Sequence, residues 1–292
     1  MQILIVGASG FVGSALRSVY GPDAVGTYCN HPTPGLRYLD VRDAGAVDQL
    51  LSEVRPDLVI HPAAQPNVDW CEDHVAESHA INVEGTRNVA AAARAHGARY
   101  VFFSTDYVFN GGSGPYREDA TPDPLNVYGR HKLEAERIVA DLLEDYLIVR
   151  VCGVYGFEKQ GKNFVAGLIA RARRGETMNV PSDQWGNPTY SDNLAAAVKE
   201  LAASRHCGVF NMVGPEHLSR VSFALLACSV FGLDPKVVRP QTTAEIGQRA
   251  LRPLRGGLDT ARVRSLLTTP LVPPRQGLQL MKERLRAEGV MA

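Results

Sequence analysis

The 292-residue chain lacks a surplus of charge: Lys plus Arg and Asp plus Glu both number 31. That balance leaves no electrostatic footprint for a nucleic acid or an anionic membrane surface. The five cysteines, Cys29, Cys71, Cys152, Cys207 and Cys228, are scattered and odd in number. They form no disulfide framework and predict a reducing, cytoplasmic setting. No apolar run approaches the roughly 20 residues of a membrane span. The opening "MQILIVGASG" has neither the basic region nor the long apolar stretch of a signal peptide. Internal repeats and low-complexity linkers are missing too. What is present, 45% hydrophobic and 21% charged residues, is the composition of an ordinary globular protein. The length suits one large domain, or a nucleotide-binding domain with a smaller partner.

Short apolar runs alternate with helical spacing through the first half. Strands are expected at 3–6, 24–28, 36–41, 57–64, 99–106 and 146–151. Helices are expected at 11–21, 43–54 and 74–97, and again from Tyr128 onward. This alternation predicts an α/β fold with a doubly wound parallel sheet, Rossmann-like, whose ligands lie beyond the carboxyl ends of the strands. Beyond residue 150 the regularity fades. Helical patterns fall at 162–176, 191–204, 219–232 and 275–289, with a short strand at 208–214. The expected division is a nucleotide-binding domain over 1–150, to which about 183–204 return, and a smaller α/β substrate-binding lobe over 151–292.

Three stretches carry chemistry. "GASGFVG" spaces Gly7, Gly10 and Gly13 between the first strand and the first helix. Glycine there lets backbone N–H groups approach a pyrophosphate at a helix N-terminus. The run "GTYCNHP" that ends the second strand holds no acid to receive a ribose 2′-OH, which favours NADP(H) while leaving NAD(H) possible. His31 and Arg37 are the candidates to meet a 2′-phosphate. Asp40 and Val41 either flank an adenine or cap a helix. "HPAA" brings the small Ala63 and Ala64 to the end of the fourth strand. Ser104 and Thr105 end the fifth, as turn formers or as hydroxyls for a carbonyl. In "NVYGRHKLEAE", Tyr128 stands four residues before Lys132, on one face of a helix. A nearby ammonium lowers a phenol's pKa, and a tyrosine so tuned can pass a proton to an alcohol. Asp69, Cys71, Glu72, Asp73, His74 and His79 crowd one segment but lack paired metal-ligand spacing. They read as a polar helix start, with no metal. Trp185 and the cysteines read as packing residues.

Taken together, Gly7-x-x-Gly10-x-x-Gly13, "STDYVFNG" (104–111) and "PLNVYGRHKLEAE" (124–136) resemble the extended short-chain dehydrogenase/reductases. "GKNFV" (161–165), "DQWGNPTYSDNLA" (183–195) and "RPLRGGLDTARV" (252–263) are similar to the later motifs of the dTDP-4-dehydrorhamnose reductase family within them. The resemblance implies hydride transfer from NAD(P)H to the 4-keto carbon of a nucleotide-linked 6-deoxysugar. Thr105, Tyr128 and Lys132 would be catalytic, Tyr128 donating the proton and Lys132 holding the nicotinamide ribose. Ser9, Phe11 and Val12 would join the glycines at the cofactor. Val68, Asp69, Ser104, Thr105, Asn163 and Gln184 would meet the substrate. One departure stands out. The family usually carries Arg-Thr-Ser-Trp-Val-Tyr after the sixth strand, where this chain has "RVCGVYG" (150–156). Cys152-Gly153 in place of Ser-Trp predicts a pocket wider at that wall. Tyr107 in place of a glutamate disfavours a 4,6-dehydratase. An epimerase shares Tyr and Lys, and a non-catalytic subunit like the regulatory subunit of methionine adenosyltransferase is the other alternative. The chain is expected as a monomer or homodimer.

Overall fold

The computed structural model describes residues 1–158, 161 and 163–290. The first half runs β1 (Ile3–Ile5), α1 (Phe11–Tyr20), β2 (Val25–Tyr28), β3 (Arg37–Tyr38), α2 (Ala44–Val54) and β4 (Leu58–His61). It continues through α3 (Val68–Asp73), α4 (Val75–His79), α5 (Gly85–Ala95), β5 (Arg99–Thr105), α6 (Val127–Leu142) and β6 (Tyr146–Val151). The second half holds β7 (Val154–Tyr155), α7 (Phe164–Arg173), β8 (Met178–Pro181), β9 (Trp185–Gly186), β10 (Thr189–Tyr190), α8 (Ser191–Ala203) and β11 (Gly208–Asn211). It ends with β12 (Leu218–Ser219), α9 (Arg220–Phe231), β13 (Val238–Gln241), α10 (Thr243–Ile246), α11 (Ala261–Arg264) and α12 (Pro274–Ala287).

Among the described residues, seven strands form a parallel sheet in the order β11-β6-β5-β4-β1-β2-β3. The order reverses between β1 and β4, which opens a crevice at their carboxyl ends. The continuous apolar runs are explained by burial on both faces. In β5, Val101 and Phe103 enter the core beneath α1 and α8, while Tyr100 and Phe102 enter the core beneath α2, α5 and α6. Helix α8 lies against α1, and β11 joins the sheet, so the main sheet draws on residues on both sides of 150. A separate apolar core, built on Tyr155, Leu168, Phe223 and Leu278, binds α7, α9 and α12 together.

The third strand is shorter than its apolar run predicts. It ends at Tyr38 because the Asp40 carboxylate accepts the Arg42 N–H at 3.0 Å and turns the chain. The long helix expected over 74–97 is α4 and α5 joined by a π-helical turn (Ala80–Glu84), and α3 precedes it, capped by Asn67. Lys162, the first residue of another expected helix, lies outside the described residues, and α7 follows from the Asn163 cap.

Helix α6 carries the segment of interest. Asn126 caps it by accepting the Gly129 N–H at 2.7 Å. Leu133, Ala135, Ile138 and Val139 bury its apolar face. Each of the three large side chains contributes roughly 1.5–3 kcal/mol of burial. On the same helix Glu136 forks onto Arg150 of β6, at 2.9 and 2.6 Å, with side chains only 5% and 4% exposed. Removing one partner strands a buried charge. Glu136→Ala should therefore cost about 3–5 kcal/mol, read from urea denaturation, and a loss below 1 kcal/mol would show that water replaces the carboxylate.

Candidate active site

Tyr128, Lys132 and Glu136 lie at successive four-residue steps of α6 and face the sheet. Tyr128 opens on a cavity of about 490 Å³ that Thr105 also lines, at the carboxyl end of β5. Lys132 is 2% exposed, with Nζ 3.9 Å from the centroid of the Phe102 ring. Burial pushes its pKa down to about 7, against the opposing pull of Glu136. The Tyr128 phenol departs from expectation. Its pKa is raised, first by burial and then by Cys71, Asp106 and Tyr107, while a hydrogen bond with Thr105 lowers it. Lys132 is not among the causes, so the lowering read from the four-residue spacing is not found. The phenol is held in its acid form, and the lysine is the group poised near neutrality.

The 490 Å³ cavity separates the expected substrate residues. Val68, Thr105 and Gln184 line it. Asp69 instead pairs with Arg252 at 2.9 Å and accepts the Ala250 N–H at 2.9 Å, so it fastens the 250–252 segment. Asn163 caps α7 through the Ala166 N–H and reaches back to the Gly156 carbonyl. Ser104 points into the protein, its Oγ buried and unpartnered among the described residues. Alternation along β5 explains the last case: neighbouring side chains leave on opposite faces.

Asp106, Trp185 and Arg220 escape a sequence reading, and Cys152, placed at the pocket wall by the resemblance, also engages Asp106. Buried Asp106 accepts from Thr105 Oγ1 at 3.3 Å and from the Cys152 thiol, and burial raises its pKa. Cys152 is thus part of the cavity wall, not packing alone. Trp185 also lines it, 43% exposed and tilted against the His217 ring. Arg220 lies over Phe164 and pairs with no acid among the described residues. It opens α9, where the helix dipole disfavours a cation. A base at the start of a helix was the available signal. Gly153 sits at φ +54° and lines the same cavity with no side chain. A tryptophan there would meet a left-handed backbone. A Cβ there would stand 3.3 Å from the Asn187 carbonyl, so backbone lies beside the bare glycine.

Two further cavities flank the glycine turn. One of about 210 Å³ is lined by Gly7, Asp40, Val41, Ala63 and Ala64, with Asp40 tied to Arg42. Further along, Pro66 of the β4–α3 loop and Val68 of α3 line the 490 Å³ cavity. The other, about 750 Å³, is lined by Ser9, Gly10 and Phe11 together with Arg17 and His31. Val12 packs into the core and Gly13 is buried, since a Cβ on Gly13 would stand 2.1 Å from the Gly7 carbonyl. Gly10 differs. A Cβ there meets only the Gly7 carbonyl at 3.2 Å, leaving backbone open to a ligand. Arg37 faces away, paired with Glu53. The crowded polar segment is dispersed: Glu72 accepts the Val127 N–H, Asp73 pairs with Arg249, and His79 meets Glu134. Among the described residues no helix is long and apolar enough to cross a membrane.

Comparison with known proteins agrees with this arrangement. Residues 1–287 match the family described as RmlD substrate binding domain. A dTDP-4-dehydrorhamnose reductase of Streptomyces griseus is 36% identical over 92% of this chain and 88% of its own. Methionine adenosyltransferase 2 subunit beta of Xenopus tropicalis is 30% identical over 95% of this chain and 86% of its own. The crystal structure of a dTDP-4-dehydrorhamnose reductase from Bacillus anthracis in complex with NADP superposes with a TM-score of 0.89, at 30% identity, covering 97% of this chain and all of that one. The chain belongs to the dTDP-4-dehydrorhamnose reductase family of extended short-chain dehydrogenase/reductases, the family that its glycine turn and Tyr128–Lys132 helix resemble.

Proposed function

We propose that this protein uses NADPH to reduce the 4-keto group of a dTDP-linked 6-deoxysugar, dTDP-4-dehydrorhamnose being the substrate its family points to. The observation that carries the reading is the convergence of Thr105 and Tyr128 on one cavity, with Lys132 buried one turn along α6. A relative from Streptomyces niveus named dTDP-4-keto-6-deoxy-D-glucose reductase, 33% identical over 86% of this chain, supports the substrate class. The residues fit a dinucleotide: the open backbone at Gly10 and the small Ala63 and Ala64 would hold its pyrophosphate and adenosine, and Lys132 its second ribose. Bound NADPH supplies the hydride.

The chain's own residues handle the oxygen and the proton. Thr105 Oγ1 and the Tyr128 phenol hydrogen-bond the keto oxygen, and Tyr128 gives its proton to that oxygen as negative charge gathers there. The raised phenol pKa keeps that proton in place at neutral pH. Arg220, a cation free of carboxylate partners among the described residues, would take the nucleotide diphosphate, with Gln184 beside it. A second reading, a non-catalytic subunit, is favoured by the relatives named methionine adenosyltransferase 2 subunit beta that align over 95% of the chain.

Tyr128→Phe keeps the ring and removes the proton. It should lower kcat about 10²–10⁴-fold in NADPH oxidation with dTDP-4-keto-6-deoxysugars and leave NADPH affinity nearly unchanged. A Tyr128→Phe enzyme as fast as wild type would place the acid elsewhere. Wild type that binds NADPH yet reduces no keto-sugar would favour the second reading.

Gly10→Val should fold normally and lose NADPH binding, whereas Gly13→Ala should fail to fold because its methyl meets the Gly7 carbonyl. Thermal melts and cofactor-fluorescence titration separate the two outcomes.

Lys132 adds a pH signature independent of turnover. Its folded pKa of about 7 lies below the unfolded value, so the unfolded chain binds more protons between about 7 and 10.5. Stability of the wild type should therefore rise with pH across that window, relative to Lys132→Met. The slope should approach 1.4 kcal/mol per pH unit, about one proton. Parallel pH dependence of the two proteins would mean that the lysine stays solvated.

A further inference from the structure

Three arginines stand near the end of β2, and two are spent on acids. Arg42 forks onto Asp40 through Nε and Nη2, at 2.6–3.0 Å. Arg37 pairs with Glu53. Arg17, on α1, has no side-chain hydrogen bond or ion pair among the described residues. Its stem passes Gly26, and its tip ends at Gly35, where a methyl group would stand 3.2 Å from Nη2. Gly35 leaves room for the guanidinium against the turn that follows β2.

The guanidinium lines the 750 Å³ cavity with Ser9, His31 and Thr33. Ser9 belongs to the glycine turn, and its N–H donates to the Thr27 carbonyl of β2 at 3.3 Å. Its hydroxyl and the His31 ring have no partners among the described residues. Glu158 is the one acid lining this cavity among the described residues, and Asn163 engages its Oε1 through both N–H and Nδ2. The 210 Å³ cavity is lined by Thr27, whose carbonyl takes the Ser9 N–H, with Asn30, Asp40 and Val41. A ribose seated between the two cavities would have a guanidinium, a hydroxyl and an imidazole within the larger one, while the carboxylates present, Asp40 and Glu158, are engaged by Arg42 and Asn163.

We propose that Arg17, with Ser9 and His31, receives the 2′-phosphate of NADPH and sets the preference for NADPH over NADH. This rests on the reading that a nicotinamide dinucleotide occupies the glycine turn. A phosphate monoester carries close to two negative charges, and a charge-assisted contact to a guanidinium is among the stronger hydrogen bonds a protein makes.

The test uses adenosine fragments, so it does not depend on turnover. Titration calorimetry of the full-length protein with 2′,5′-ADP and with 5′-AMP measures the phosphate's contribution alone. Wild type should bind 2′,5′-ADP at least tenfold more tightly. Arg17→Gln should lose about tenfold or more for 2′,5′-ADP and stay within twofold for 5′-AMP. Arg17→Lys should recover part of the margin, because it restores the charge without the fork. Equal loss for both fragments would make Arg17 a packing residue and overturn the proposal. So would unchanged discrimination in Arg17→Gln, or a wild type that does not discriminate. If discrimination holds while no keto-sugar is reduced, the catalytic reading fails and the assignment of Arg17 stands.

Discussion

The buried ion pair between Glu136 and Arg150 is the contact on which the site depends. Glu136 sits on the stripe of α6 that also carries Lys132 and Tyr128, and Arg150 belongs to β6 beside β5. Clamping helix to strand fixes how α6 is rotated against the sheet. Rotation decides whether the phenol meets the end of β5 or turns away. Arg150 also donates to the Glu118 carbonyl and lies over the Phe109 ring, so the clamp reaches the segment after β5 as well. A buried charge pair is a costly way to join a helix to a sheet. It has a second effect here: the Glu136 carboxylate holds up the pKa of Lys132, which burial alone would depress further.

Desolvation governs the chemistry of the cleft. It raises the phenol of Tyr128 and the carboxyl of Asp106, and it lowers the ammonium of Lys132. All three shifts have one largest cause, the cost of a charge away from water. The consequence is a division of labour between neighbours on one helix. The tyrosine retains its proton, and the lysine titrates near neutrality. The cavity beyond them is lined by Trp185 and Arg220 as well as by bare Gly153.

Much of this was legible in one dimension. The alternation of apolar runs with helical spacing specified a doubly wound sheet, because strands buried on both faces are apolar throughout and surface helices on one stripe only. The glycine turn and the Tyr128–Lys132 step were readable for a similar reason: each is local, and the geometry of a turn or a helix follows from spacing. The departure at Cys152-Gly153 pointed to the cavity wall that both residues line.

What sequence could not supply were the contacts between distant segments. Asp69 and Asn163 are polar residues in motif-like runs, yet their partners, Arg252 for the first and the Gly156 carbonyl and Ala166 N–H for the second, make them fasteners. Arg220 and Trp185 are ordinary in sequence and reach the cavity only because α9 and β9 fold over the end of the sheet. The pKa of Tyr128 was misread for the same reason. A four-residue step reports a neighbour on the helix, whereas the depth of burial is set by every element packed around it. Spacing along the chain determined which groups could act together; three-dimensional packing decided which way they face, how dry they are and which charges remain unpaired.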